Sequence, residues 1–401
     1  MVAFSKGGDI PVRLFIARRG PLWYHMRIIM IMGRHQIMKK ILIVAAFSFA
    51  AVLLADEKSS DIPPASAVKG EARKWPAILK YAEEVKIRSS IDGTLQPSIW
   101  RAAPGKEGKS PLLVVLHSWS FGYQKDDPAW WGMVAAEERG WAFIYPHYRG
   151  PNRTPEACGS RLAMQDIADA VNWAVKTGKV DPDRVYMIGG SGGGHAVLLA
   201  AARNPHLFAA VYAACPPADI ARWHDECLDP YRKRCAGYAK QIESACGGTP
   251  AEKPEEYAER SAVTQLAKRR GMLPPIEIIT GIHDGHPRQD GGSVPVGHTI
   301  RAFNAVAAAK DRIGEQAIAV MEKEERVPDE LLFSGKVKFF NSRVWLRRTS
   351  GNVRVTVFEA GHAGNYTAGM DWFSRQRRGQ PVDWSDSSAE GVPAEENKVT
   401  H

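Results

Sequence analysis

Gly189-Gly190-Ser191-Gly192-Gly193 sets one hydroxyl among four glycines, with the apolar run VYMI before it and the alanine-rich run HAVLLAAA shortly after. A G-x-S-x-G placed between a strand and a helix forms a strained turn. It exposes the serine hydroxyl and aims the following N–H at a developing oxyanion. The chemistry is nucleophilic attack on a carbonyl, which needs a base and an acid to orient that base. Glycine inside a strand or helix costs about 0.5–1 kcal/mol relative to alanine, so the cluster marks close backbone approach. A phosphate loop is the other reading, but no G-x-x-x-x-G-K-[ST] is present. A dinucleotide fingerprint would need an acidic residue at the end of the next strand, where Ala214-Cys215 stand.

With a nucleophile on such a turn, the acid and then the base follow along the chain, each on a loop at a strand's C-terminal end. IHDGH follows the apolar run IEIITG and offers Asp284; Gly361-His362-Ala363 follows VRVTVFEA and offers His362. Asp290, in the same loop as Asp284, is the rival acid, and Asp284 is preferred because it lies nearer the strand end. His195, inside the helix after Ser191, reads as a packing residue. The oxyanion needs two N–H donors, expected from Gly192 and from Trp119 in the loop His117-Ser118-Trp119-Ser120-Phe121-Gly122-Tyr123. Trp119, Phe121, Tyr123, Trp130 and Trp131 are candidates to line an acyl or leaving-group pocket. Arg149 and Arg153, in the RGPNR loop, are candidates to bind an acidic substrate group.

These residues need elements that carry them. PLLVVLH (111–117) and WAFIYP (141–146) are continuous apolar runs, the mark of strands buried on both faces. FAAVYAAC (208–215), IEIITG (276–281) and VRVTVFEA (353–360) read as further strands, the last being the final one. VKIRSS and QPSIWRAA form a hairpin about Asp92-Gly93. Helical spacing appears over 129–139, 160–177, after Ser191, and over 298–310. Strands alternating with helices predict an α/β fold: a doubly wound, mostly parallel sheet with an antiparallel edge. The charged, cysteine-bearing segment 216–270 is too long for a loop and reads as a helical, lid-like insertion. The organisation expected is a leader over 1–55, a linker and N-terminal helix over 56–84, the catalytic domain over 85–375 and a polar, frayed tail over 376–401.

The net charge of +9 does not point to nucleic acid. Removing the eight basic residues and one acid of 1–55 from totals of 53 and 44 leaves 45 basic and 43 acidic residues, a net of +2. The basic segment contains MKKILIVAAFSFAAVLLADEKSS from Met38, with Lys39 and Lys40, an apolar stretch over 41–54 and the small Ala55. This has the form of a signal peptide cleaved after Ala55, with Met38 as the true start. The stretch is shorter than the roughly 20 residues of a membrane span, so no stable membrane insertion is expected once it is cleaved. A periplasmic or extracellular location follows. There, Cys227–Cys235 and Cys158–Cys246 are candidate pairs that leave Cys215 free, although spacing alone does not fix the connectivity.

Together HSWSFGY, PHYRGPNRTPEACGS, VYMIGGSGGGHAVLLAA, GIHDGH with GSVPVGHTIRAFN, and VTVFEAGH resemble the catalytic domain of the prolyl oligopeptidase (S9-type) family of α/β-hydrolases over roughly 85–375. The resemblance implies a Ser191–Asp284–His362 triad and a serine hydrolase that needs no metal or other cofactor. It departs from the family in two places. The family's oligopeptidases carry a β-propeller before this domain, for which 56–84 is too short. The spacing from Asp284 to Val294-Pro295 also exceeds the usual D-x-x-V-P. Free-standing relatives of this kind are often esterases, some acting on acetylated carbohydrates, and no double-Glu motif for a peptide N-terminus is evident. A carboxylesterase is therefore expected, acting on a small-molecule or acylated-sugar substrate, with an S9-type peptidase as the alternative. A metal-dependent hydrolase using His283, Asp284, His286 and His298, and a non-catalytic binding protein, are more remote readings.

Overall fold

The computed structural model describes residues 77–105, 108–124, 126–232, 235–286 and 293–385. The expected leader with its signal peptide, and Asp290, lie outside the described residues. Within 56–84 the described part holds a single 3-10 turn, Ala77–Lys80, and the first strand already begins at Glu83.

Nine strands form one sheet: β1 (Glu83–Arg88), β2 (Leu95–Arg101), β3 (Ser110–Leu116), β4 (Ala142–Pro146), β5 (Val180–Gly190), β6 (Ala210–Ala214), β7 (Ile276–Gly281), β8 (Val344–Ser350) and β9 (Val353–Phe358). Their order is β1-β2-β4-β3-β5-β6-β7-β9-β8. The β4-β3-β5-β6-β7-β9 core is parallel, and β1, β2 and β8 pair antiparallel at the two edges. Strands β3, β4, β6, β7 and β9 are buried along their whole length, as runs with no polar face require. The hairpin closes with Arg88 opposite Leu95, about the expected Asp92-Gly93 turn.

Helices cover both faces. α1 (Asp126–Glu137) and the last helix, α10 (Tyr366–Phe373), pack on one face; α2 (Arg161–Thr177) and α3 (Gly192–Arg203) pack on the other. Ser160 caps α2, its hydroxyl accepting from Ala163 N at 3.0 Å. α8 (Val296–Val306) and α9 (Glu315–Glu324) complete the second layer. Among the described residues, no helix is long and apolar enough to cross a membrane.

Segment 216–270 folds as four helices, α4 (Ile220–Cys227), α5 (Tyr238–Cys246), α6 (Pro254–Arg260) and α7 (Ala262–Lys268). It has an apolar cluster of its own, in which Ile220, Trp223, Ile242 and Tyr257 surround Trp119 and Cys158 of the main domain. Arg260, almost wholly buried, donates to the carbonyls of Pro155 at 3.0 Å, Ala157 at 2.9 Å and Cys158 at 3.3 Å. The insertion is thus bound to the loop after β4 by one guanidinium. The five cysteines are free thiols in the structure; Cys227 and Cys235 face each other, and Cys158 and Cys246 share the same cluster.

The segment just past Arg375 is packed, contrary to the frayed tail expected. The Gln376 side-chain amide donates to Trp372 O and Asp383 O, Arg378 pairs with Asp183 at 2.8 Å, and Trp384 stacks on Trp372 with ring centroids 5.0 Å apart.

Candidate active site

β5 runs straight into α3 through Ser191, whose φ of 57° and ψ of −123° are unfavourable for a residue with a Cβ. Two contacts hold this turn: Ser191 N donates to Ala214 O at 2.8 Å, and His195 N to Ser191 O at 3.0 Å. The glycines allow the approach of neighbouring backbone. A Cβ on Gly193 would overlap Leu116 O and sit 2.9 Å from His117 O; a Cβ on Gly192 would overlap the backbone of Trp119. The second of these contacts sets the Gly192 and Trp119 amides side by side. Neither N–H is taken by a hydrogen bond among the described residues.

The loop carrying Trp119 is buttressed from beneath. His117, fully buried, has Nε2 2.8 Å from His147 O and Nδ1 3.1 Å from Ser118 O. Burial pushes it down to about 4, so it is neutral. The Tyr148 hydroxyl donates to His117 O at 2.6 Å and its ring stacks on the imidazole at 3.9 Å. The Trp119 side chain is buried and donates from Nε1 to Gln241 Oε1 at 2.9 Å.

Asp284 and His362 emerge from the ends of β7 and β9, which are neighbours in the sheet. His362 Nδ1 stands 2.9 and 2.8 Å from the two carboxylate oxygens of Asp284. Asp284 is buried and accepts further from Val294 N at 3.3 Å. Burial works against a charge on His362, but the Asp284 carboxylate outweighs it, and the imidazole holds its proton to well above the ordinary histidine range. His362 and Ser191 line one cavity of about 410 Å³. Ser191 Oγ makes no hydrogen bond among the described residues, so bound substrate would have to draw it and His362 together.

Other candidates fall elsewhere. Arg149 is a structural cation, not the substrate contact expected from its loop. Its guanidinium pairs with Asp92 at 2.8 Å and with the buried Asp166, and donates to Ser89 Oγ at 3.2 Å, joining the hairpin turn to α2. Removing one member of a buried pair strands the other, at a cost of about 3 kcal/mol or more. Arg149→Met is therefore expected to lower urea stability by about that amount, with Ser191 still labelled by a fluorophosphonate; a loss too small to resolve would show the pair to be dispensable. Arg153 is exposed and does not line the cavity. The Tyr123 hydroxyl donates to Glu84 at 3.2 Å beside β1, away from the cavity wall.

His195 donates from Nε2 to Arg260 O at 2.7 Å, and burial pushes it down to about 4, in keeping with a packing role. The four residues of the metal reading do not converge. His283 bridges Glu325 and Glu359, His286 faces Glu325, His298 pairs with Glu226, and Asp284 faces His362.

Cys215 and Tyr366 were not foreseen at the site. Cys215, with φ 48°, directly follows β6, donates its thiol to Ala363 O at 3.2 Å, and has Sγ within 4.8 Å of the ligand atoms of Asp284 and His362. Burial pushes this thiol up, so it is protonated. Its place at a strand's C-terminal end was the available signal. Tyr366 opens α10, whose N-cap Asn365 accepts from Ala368 N at 3.2 Å.

Residues 129–324 match the model of the prolyl oligopeptidase family, a span that includes Ser191 and Asp284 and ends before His362. Among solved structures, similar chains include an acylaminoacyl peptidase in complex with Z-Gly-Gly-Phe-chloromethyl ketone, at 15% identity and TM-score 0.50, over 78% of this chain and 43% of that one. Another is Pyrococcus horikoshii acylaminoacyl peptidase in its orthorhombic crystal form, at 13% identity and TM-score 0.51, over 76% and 43%. At these identities the likeness is one of fold, and this chain spans less than half the length of either structure. The family match, the sheet order and the turn at Ser191 lead to one assignment: the chain carries a prolyl-oligopeptidase-like, S9-type catalytic domain of the α/β-hydrolase superfamily.

Proposed function

We propose that this chain is an exported serine hydrolase that opens ester or amide bonds through an acyl-enzyme, with a carboxylic ester as its preferred substrate. The observation that carries the reading is His362, held by Asp284, lining the same cavity as Ser191, which is held at positive φ. In the first half-reaction the Ser191 Oγ–carbon bond forms as the hydroxyl proton moves to His362 Nε2, and the charge on the carbonyl oxygen is met by the Gly192 and Trp119 amides. The bond to the leaving oxygen or nitrogen then breaks as His362 returns that proton to it. Water repeats the sequence to release the acid and free Ser191.

Preference for an ester rests on the cavity lining, which among the described residues has no Asp or Glu to hold a peptide amino group and no Lys or Arg to hold a carboxylate. Acylated sugars are one candidate class. The alternative is an S9-type serine peptidase, favoured by the fold shared with the acylaminoacyl peptidases.

The two are separated by comparing p-nitrophenyl acetate with glycyl-prolyl-p-nitroanilide on the full chain. Rapid acetate release without anilide cleavage is expected. Comparable kcat/KM for the two would establish a peptidase instead. Export predicts that protein recovered from a secreting host starts at Asp56, as N-terminal sequencing would read.

A further inference from the structure

We infer that the cavity beside Ser191 receives the leaving group, that this group is an uncharged alkyl or aromatic alcohol or amine, and that the acyl group opposite it is small. The inference rests on the serine-hydrolase reading above and adds to it the chemical class of substrate.

Direction comes from the proton's path. The imidazole that takes the serine proton hands it to the departing atom, so the leaving group lies against His362. The carbonyl oxygen faces the Gly192 and Trp119 amides, and the acyl substituent takes the side away from His362. The cavity takes in the His362 side: His362 lines it together with Ala363 and Tyr366 from the chain just beyond, and Val115, Ile188 and Trp131 complete the apolar lining. The opposite flank is shut. There the Trp119 ring is buried, edge-on to the buried Trp223 ring at 4.7 Å and hydrogen-bonded to Gln241. An acetyl group is a suitable size for that side, and a long acyl chain would have to displace a packed cluster.

Composition gives the chemical class. At about 410 Å³ the cavity is of the size of small-molecule sites. Among the described residues its titratable side chains are His362, Cys215 and Tyr366, and burial keeps the thiol and the phenol protonated. Among the described lining residues a cation would find no carboxylate and an anion only the imidazole already paired with Asp284, and the several hydroxyls of a sugar would leave water for an apolar wall. The inference therefore narrows the ester class away from glycosyl alcohols.

The test uses the full chain and two ester series of nearly constant intrinsic reactivity. In the first, acetate is kept and the alcohol grows from methyl through ethyl and butyl to hexyl. In the second, ethanol is kept and the acid grows from acetate through butanoate to hexanoate. The expected result is a kcat/KM that rises about fourfold per methylene in the alcohol until the cavity is full, and that falls along the acid series. Trp131→Ala, with a thermal melt to show that the fold persists, is expected to flatten the alcohol series. A rise along the acid series with a flat alcohol series would make this an acyl pocket and overturn the inference. So would faster turnover of acetylated xylose than of butyl acetate, or no turnover of any alkyl ester by protein whose Ser191 still reacts with a fluorophosphonate. Absence of both Ser191 labelling and ester turnover would instead sink the parent reading.

Discussion

Ser191→Ala is expected to lower kcat toward p-nitrophenyl acetate by about 10⁵- to 10⁶-fold while leaving the folded protein intact. The size of the loss follows from the way the triad acts as a unit. Without the hydroxyl, His362 has no proton to accept and no acyl-enzyme can form, so only binding and the two amides remain. Those leave a residual rate about 10³- to 10⁴-fold above water. The burst of p-nitrophenol that marks an accumulating acyl-enzyme disappears with the serine. Alanine also relieves little of the backbone strain, since it too has a Cβ at φ 57°. A thermal melt near wild type should therefore accompany the loss. Retention of even a tenth of the activity would remove Ser191 from the chemistry and would point to a different nucleophile in the same cavity.

Asp284→Asn should lower kcat by about 10⁴-fold and should also move the pH profile. The base must be neutral to accept the serine proton, so kcat/KM rises as pH climbs through the His362 pKa. Burial acts to lower that pKa, but the Asp284 carboxylate reverses it and sets it well above the ordinary histidine value. The acid limb of the wild-type profile is accordingly expected on the alkaline side of an ordinary histidine. Asparagine keeps the shape and removes the charge that chiefly opposes burial, so the limb of the variant shifts to lower pH. Asp290→Asn serves as the companion, with kcat and limb both unchanged. If Asp290→Asn moved the limb and Asp284→Asn did not, the assignment of the acid would pass to Asp290.

Much of this site was legible in the chain because its members sit at ends of fully apolar runs. PLLVVLH, FAAVYAAC, IEIITG and VRVTVFEA have no polar face, and that pattern identifies strands at the centre of a parallel sheet. Their C-terminal ends therefore located Trp119, Asp284 and His362 on one rim, and the end of FAAVYAAC held an unused signal for Cys215. β8 escaped notice for the opposite reason. VWLRRTS lies at the sheet edge with Arg347 and Arg348 only partly covered, so its alternation is weak and its charges suggest a loop. α9, rich in glutamate and burying only Ile318 and Met321, likewise shows little apolar stripe.

The misreadings at the site share a cause, which is partners distant in sequence. Arg149 looked free because Asp92, 57 residues away, and Asp166, 17 away, become its neighbours only when the hairpin folds onto α2. Arg377 and Arg378 looked like solvated tail until β5 brought Asp181 and Asp183 to them. The cavity itself is made where α1, β3, β5 and the loop after β9 meet, and no local pattern records such a meeting.

Segment 216–270 carries a consequence for how molecules come and go. Its inner cluster includes Trp119, its α5 holds the Trp119 indole, and its Arg260 holds the loop containing Cys158. Swinging this segment outward would drag the amide of Trp119 away from Gly192 and unmake the very groups that receive the oxyanion. Passage by that route would cost the enzyme its chemistry each time. The doorway must instead be the opposite rim, where Gly361 and Ala363 are exposed beside His362. Among the described residues that entrance is uncovered, so the alcohol can depart by the way it came, and water can follow it in.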